Sequence, residues 1–140
     1  MQKLSILNKR VEHLDTDASG VVHFSRYPSL METAVLENLD NLKIGMHALE
    51  SEQLDLVVSE MKIKYLSSAY FLDYLLIDIQ INHIGTASFK ITGEIYRQEQ
   101  NGEKTLLSSA EMTYVIVNKC SGAVSRMPSY MKNTLKECYV

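Results

Sequence analysis

One long stretch of this chain repeats its apolar residues with a helical period. After Pro28, the residues Met31, Ala34, Val35, Leu39 and Leu42 recur at steps of three and four, which sets them on one face of a single long helix. Beyond Glu52 the period is two instead. Leu75, Ile77, Ile79 and Ile81 alternate with Asp78, Gln80 and Asn82, and Ala87, Phe89, Ile91 and Ile95 alternate with Ser88, Lys90, Thr92 and Glu94. A lone helix must bury its apolar stripe, and the only sizeable surface on offer is the apolar face of the sheet. The expected fold class is therefore α+β, a curved antiparallel β-sheet wrapped around one long central α-helix.

The punctuation of the chain fits that plan. Residues 4–11 read as a strand leading into a turn-rich cluster, Asp15-Thr16-Asp17-Ala18-Ser19-Gly20. The helix start has two candidates, with Pro28 at the first helical position or Ser29 and Glu32 at capping-box spacing, and Gly45 is the expected stop. An antiparallel meander of about four strands follows. In it Asn101-Gly102 marks a hairpin into a strand over 105–117, and a turn at 118–122 precedes a short terminal helix after Pro128. A length of 140 residues, with no repeat and no low-complexity linker, is expected to form a single domain over 1–140.

Composition removes several classes of function. A net charge of −3, with no basic run, lacks the positive field that phosphate neutralisation needs, so no nucleic-acid partner is expected. The most apolar runs, 54–58 and 74–77, fall far short of the roughly 18 residues that cross a bilayer, and no signal-like segment is expected before Lys9 and Arg10. Cys120 and Cys138 form no CxxC pair and read as reduced thiols. The expected location is cytoplasmic.

The acidic cluster is the one place where chemistry concentrates. Its opening has the oxygen spacing of a calcium loop, but the twelfth position is Arg26 where a bidentate Glu is needed, and the preceding segment is strand. Asp15 and Asp17 lie close in sequence, and repulsion or partial burial is expected to raise the pKa of one of them toward the range of a base. Short of that, both are solvated turn residues. His13, His47 and His83 have no ligand spacing with one another, so no metal is expected.

The run His13-Leu14-Asp15-Thr16-Asp17-Ala18-Ser19-Gly20-Val21-Val22-His23-Phe24-Ser25-Arg26-Tyr27, with Met31-Glu32 and a helix ending at Ile44-Gly45, resembles the 4-hydroxybenzoyl-CoA thioesterase family of hotdog-fold enzymes. Its signature is DxDxxGxVxxxxY leading into a helix. Weaker matches continue from Tyr65-Leu66 to Asp73 and from Gly122 to Pro128. The resemblance implies a hotdog fold and hydrolysis of an acyl-CoA or acyl-carrier-protein thioester without a cofactor. Asp17 would be nucleophile or general base, and the Phe24 backbone N–H at the helix N-terminus would polarise the carbonyl. Gly20, Val21, Tyr27, Glu32 and Arg126 become candidate substrate-binding residues. His23 is read either as sharing in proton transfer or as a hydrogen-bonded residue at the helix entry, and Glu32 as helix cap or as an acidic group facing the acyl pocket. Arg97, Arg126 and Lys132 are the cations available to the CoA nucleotide. The family also implies a homodimer, pairing into a tetramer, with the acyl pocket between subunits.

Two other classes compete. A hotdog 3-hydroxyacyl thioester dehydratase matches His23-Phe24 before Pro28 and Glu32 only loosely, and a non-catalytic acyl-thioester-binding module gains nothing from a carboxylate at Asp17. Aromatic, fatty and polyketide-type acyl groups all remain open.

Overall fold

The computed structural model describes residues 4–139. In chain order these form β1 (Leu7–Arg10), a 3-10 turn (His13–Asp15), α1 (Arg26–Asn41), α2 (Met46–Glu50), β2 (Leu54–Tyr65), β3 (Tyr74–Ile84), β4 (Ser88–Gln98), β5 (Lys104–Asn118) and α3 (Ser129–Cys138). The five strands make one sheet in the order β1-β3-β4-β5-β2, antiparallel throughout. Breaks in register at Val58/Glu60, Ile81/His83 and Ile95/Tyr96 bend the ribbon, since a bulge increases local twist. The sheet therefore curls around α1.

Burial follows the two periods. Met31, Ala34, Val35 and Leu39 of α1 are sealed against Leu75, Ile77, Ile91, Ile95 and Met112 of the sheet. Gly93 is where the helix seats most closely, because a Cβ there would lie 3.2 Å from both the Met31 sulfur and the Met112 methyl. The stack of Phe89 on Tyr114, 5.4 Å between ring centres and nearly parallel, fills the neighbouring layer.

The helix ends differ from the sequence reading. α1 begins at Arg26 with Ser25 as N-cap, so Pro28 sits two residues inside the first turn, where its missing N–H has no intrahelical partner to lose. Ser29 is then helical, and its carbonyl accepts the Thr33 hydroxyl, so the Ser29–Glu32 capping box does not form. At the other end the stop is Lys43, at φ 62, with the Lys43 N–H on the Asp40 carbonyl and the Ile44 N–H on the Leu39 carbonyl. Gly45 answers to space instead. A Cβ there would meet the Asp40 backbone nitrogen at 2.9 Å.

The sheet also differs in connection. Only β3, β4 and β5 form a meander, while β2, first of the four in sequence, lies on the far side of β5 as an edge strand. The loop after Gln98 closes with Gly102 at φ +87. Among the described residues both cysteines are free, Cys120 exposed and Cys138 buried, and no helix is long and apolar enough to cross a membrane.

Candidate functional site

The acidic loop connects β1 to α1, and its two aspartates face opposite ways. Asp15 is buried. Its Oδ2 accepts the Glu12 N–H at 2.8 Å and lies 3.4 Å from Lys9 Nζ, and its Oδ1 accepts Arg26 Nε–H at 2.9 Å. Burial pushes its carboxyl up, but the Glu12 N–H and the charges of Lys9 and Arg26 outweigh it and hold the group below its ordinary value. Arg26 thus has a definite task, pinning the loop to the first turn of α1.

Asp17 is exposed. Its Oδ1 accepts the Ser19 hydroxyl at 2.7 Å, the Ser19 N–H at 2.9 Å and the Val21 N–H at 3.3 Å, forming a turn closed by Gly20 at φ +82. These donors, Ser19 foremost, lower its pKa. The expectation that one aspartate is raised toward the range of a base is therefore corrected: both are lowered. Asp15 is buried and Asp17 exposed, and they share no donor, so each is governed by its own partners.

The loop is docked onto the segment after β2. Phe71 N–H donates to the Gly20 carbonyl at 3.1 Å, Val22 N–H to the Ala69 carbonyl at 2.9 Å, and the Tyr65 hydroxyl to the Phe24 carbonyl at 3.2 Å. Ala69 N–H in turn donates to the hydroxyl of buried Tyr27 at 3.1 Å, and burial raises the pKa of that phenol. Between the two segments lies a cleft of about 350 Å³ lined by Val21, Val22, Phe24, Tyr27, Tyr65, Leu66, Ser67 and Ser68.

Phe24 sits where this cleft meets the helix. Among the described residues nothing accepts its N–H, whereas the next two are taken, Ser25 N–H by His23 Nδ1 and Arg26 N–H by the His23 carbonyl. His23 Nδ1 also receives the Ser25 hydroxyl at 2.8 Å. With two donors on Nδ1, the network assigns the imidazole proton to Nε2. The ring lies 4.7 Å from that of Phe24.

The structure thus brings Asp17, Gly20, Val21, His23, Phe24 and Tyr27 together. Glu32 and Arg126 lie elsewhere. Glu32 is exposed on α1 and, after burial, is the second cause that raises the phenol of Tyr114, whose hydroxyl is buried without a partner. Arg126 follows Ser125, whose N–H bonds the Ile116 carbonyl, eight residues along β5 from Ser108, the strand partner of Tyr65. At the rise of an extended strand that is roughly 26 Å from the cleft within the chain. Arg97 is already engaged by Glu99 at 3.0 Å, Asp73 at 3.5 Å and the Ser68 carbonyl at 2.9 Å. Tyr65, Ser67 and Ser68 escaped the sequence reading, though they fall within its weaker matching stretch.

Known proteins resemble this chain in sequence and in fold. The model of the thioesterase-like superfamily matches residues 11–135. An acyl-CoA thioesterase, YbgC of Haemophilus influenzae, is 30% identical over 110 residues, covering 78% of this chain and 77% of its own. Two solved structures are similar in fold. The 1,4-dihydroxy-2-naphthoyl-CoA thioesterase of Synechocystis superposes with a TM-score of 0.84 at 20% identity, over 94% of this chain and 95% of its own. A Staphylococcus aureus protein solved in complex with CoA superposes with a TM-score of 0.88 at 15% identity, over 99% and 87%.

Proposed function

The chain belongs to the thioesterase-like superfamily, and from that premise we propose how it, as an acyl-CoA thioesterase of the hotdog fold, carries out its reaction. The observation that carries the reading is one short loop that presents an ionised, solvent-facing carboxylate, Asp17, and, seven residues on, the unaccepted N–H of Phe24 at the start of α1. The thioester oxygen takes the Phe24 N–H, assisted by the positive end of a 16-residue helix. Negative charge that develops on that oxygen is then stabilised by a donor already in place.

Asp17 acts as the nucleophile. Its lowered pKa weakens it as a base, since proton-abstracting power falls with pKa, but leaves it fully ionised at neutral pH. A carboxylate oxygen adds to the carbonyl carbon, and the C–S bond breaks. CoA thiolate leaves and is protonated by water. A second water then cleaves the resulting anhydride into free acid and restored aspartate. No metal or organic cofactor enters this sequence. The phosphopantetheine arm common to CoA and acyl-carrier protein runs along the cleft at Val21, Tyr27, Tyr65 and Leu66. His23, with Nδ1 occupied by Ser25, orders the helix entry.

The site is completed by a second copy. β2 has one unpaired edge, and from Val57 to Glu60 side chains on both of its faces are exposed, a run of apolar and polar groups that natural proteins cover. Edge-to-edge pairing of β2 with its counterpart extends the sheet across the dimer, and two dimers pair into a tetramer.

The test is thiol release from benzoyl-, butyryl-, palmitoyl- and acetoacetyl-CoA by the parent and by Asp17→Asn. The substitution keeps an oxygen for the Ser19 and Val21 donors, so the fold should survive while turnover falls by about a thousandfold or more. Undiminished turnover in the variant would refute the assignment.

A further inference from the structure

We propose that Tyr65 is a positioning residue for the Phe24 amide; the inference rests on the reading of Phe24 given above. The loop from Gly20 to Phe24 is tied to the segment 65–71 at every second residue, at Gly20, Val22 and Phe24. The first two ties are backbone to backbone. The third, on the residue whose N–H faces the carbonyl, comes from a side chain, the Tyr65 hydroxyl at 3.2 Å.

Among the described residues the Phe24 carbonyl has one other donor, the Tyr27 N–H at 3.3 Å, and since this carbonyl lies in the peptide that follows Phe24, Tyr65 acts on the Phe24 N–H through the backbone torsions of Phe24 itself. Phe24 itself is 64% exposed, and its side chain gives the backbone little anchorage. Tyr65 is well suited to the task. It is the last residue of β2, paired with Ser108, and the buried Ser108 hydroxyl holds the adjacent Lys64 carbonyl at 2.7 Å. Its ring stands edge-on to buried Tyr27 at 5.3 Å and to Phe24 at 6.4 Å. The hydroxyl is therefore delivered from a fixed strand end against a fixed wall.

A donor in an oxyanion site works only within a few tenths of an ångström of its place, and a displacement of about 1 Å costs on the order of a hundredfold. Loss of one of two ties should loosen the amide by less than that. Because the Tyr65 hydroxyl acts through the Phe24 amide on charge that develops in the transition state, removing the hydroxyl alone, with the ring left as cleft wall, should reach kcat and leave substrate binding unchanged.

The experiment compares Tyr65→Phe, Tyr65→Leu and Asp17→Asn with the parent, on whichever of the four acyl-CoAs above is turned over fastest. Tyr65→Phe keeps both ring contacts and removes only the hydroxyl. Its kcat should fall about tenfold with KM within about twofold and the melting temperature within about 1 °C. Tyr65→Leu, which also removes a cleft wall, should raise KM in addition. Parental kcat in Tyr65→Phe while Asp17→Asn is dead overturns the inference and leaves the thioesterase mechanism standing. So does a fall in kcat matched by a lowered melting temperature, which would make Tyr65 a stability residue. Turnover by Asp17→Asn removes the mechanism and the inference with it.

Discussion

Replacing Asp15 by asparagine keeps the size of the side chain and removes its charge at the point where the loop is nailed to the helix. The side chain is 6% exposed and offers one oxygen to Glu12 N–H and Lys9 and the other to Arg26. An amide has a single oxygen. Whichever way it turns, its NH2 faces a donor, either the Glu12 N–H or the Arg26 guanidinium. Losing this charge-assisted bond to a part-buried N–H costs about 1.5–3 kcal/mol. The ion pairs add less, because Arg26 is 40% and Lys9 25% exposed, and water screens such pairs to about 0–1 kcal/mol. The sum is about 1.5–4 kcal/mol, and at roughly 3–4 °C per kcal/mol for a chain of this length, Asp15→Asn should melt about 5–16 °C below the parent.

Removing the other partner should matter less. Arg26→Gln leaves Asp15 with Glu12 N–H and Lys9, so its cost should be about 1 kcal/mol, and in the double variant the two losses should add to less than their sum. Thermal unfolding followed by circular dichroism at pH 7 measures all three. Acid supplies a second axis. Because the folded pKa of Asp15 is depressed, its stabilisation is present above the ordinary value of 3.8 and is lost as pH falls through the folded value, so the parent and Asp15→Asn should converge below that range. A melting point for Asp15→Asn within 2 °C of the parent at pH 7 would refute the reasoning, since it would mean the buried oxygens hold nothing that water cannot replace.

The lowered pKa of Asp17 sets the pH–rate profile: kcat/KM should stay level from pH 8 down to the ordinary carboxylate value of 3.8, as far as the fold lasts, and a decline beginning near pH 6 would point to a raised base instead. The open edge of β2 makes oligomeric state a second check. Sedimentation should find dimers or tetramers at micromolar concentration, Val58→Lys should shift them toward monomer and lower turnover, and a strictly monomeric active parent would sink the paired-edge arrangement.

How much of this was legible beforehand depended on whether a feature is periodic. The helix stripe and the strands β3, β4 and β5 came through because each buries one face, and burial of one face leaves a period. β2 blurred where its middle loses cover on both sides, and α2 is five residues, too short to show a period. Strand order was invisible for another reason: alternation says which face a residue takes, never which strand lies beside it. The same limit governed the site. Asp17, Val21, Phe24 and Tyr27 share one motif and were found together, whereas Tyr65 reaches Phe24 across 41 positions through a strand pairing that only the fold supplies.

The aspartates show where proximity misleads. Two carboxylates two residues apart look like a pair whose mutual repulsion lifts one pKa, and that inference fails because the chain turns between them: Asp15 ends the 3-10 turn and is buried, while Asp17 opens the next turn and is exposed. Asp15 turns inward to a backbone N–H and two cations, Asp17 outward to a serine and its neighbours, and each finds enough donors to be lowered on its own account. Charge state here follows donor placement, and the placement divides the labour. The inward carboxylate uses its charge to hold the loop against α1, and the loop so held keeps the outward one, seven residues before the Phe24 N–H, ionised and exposed to solvent.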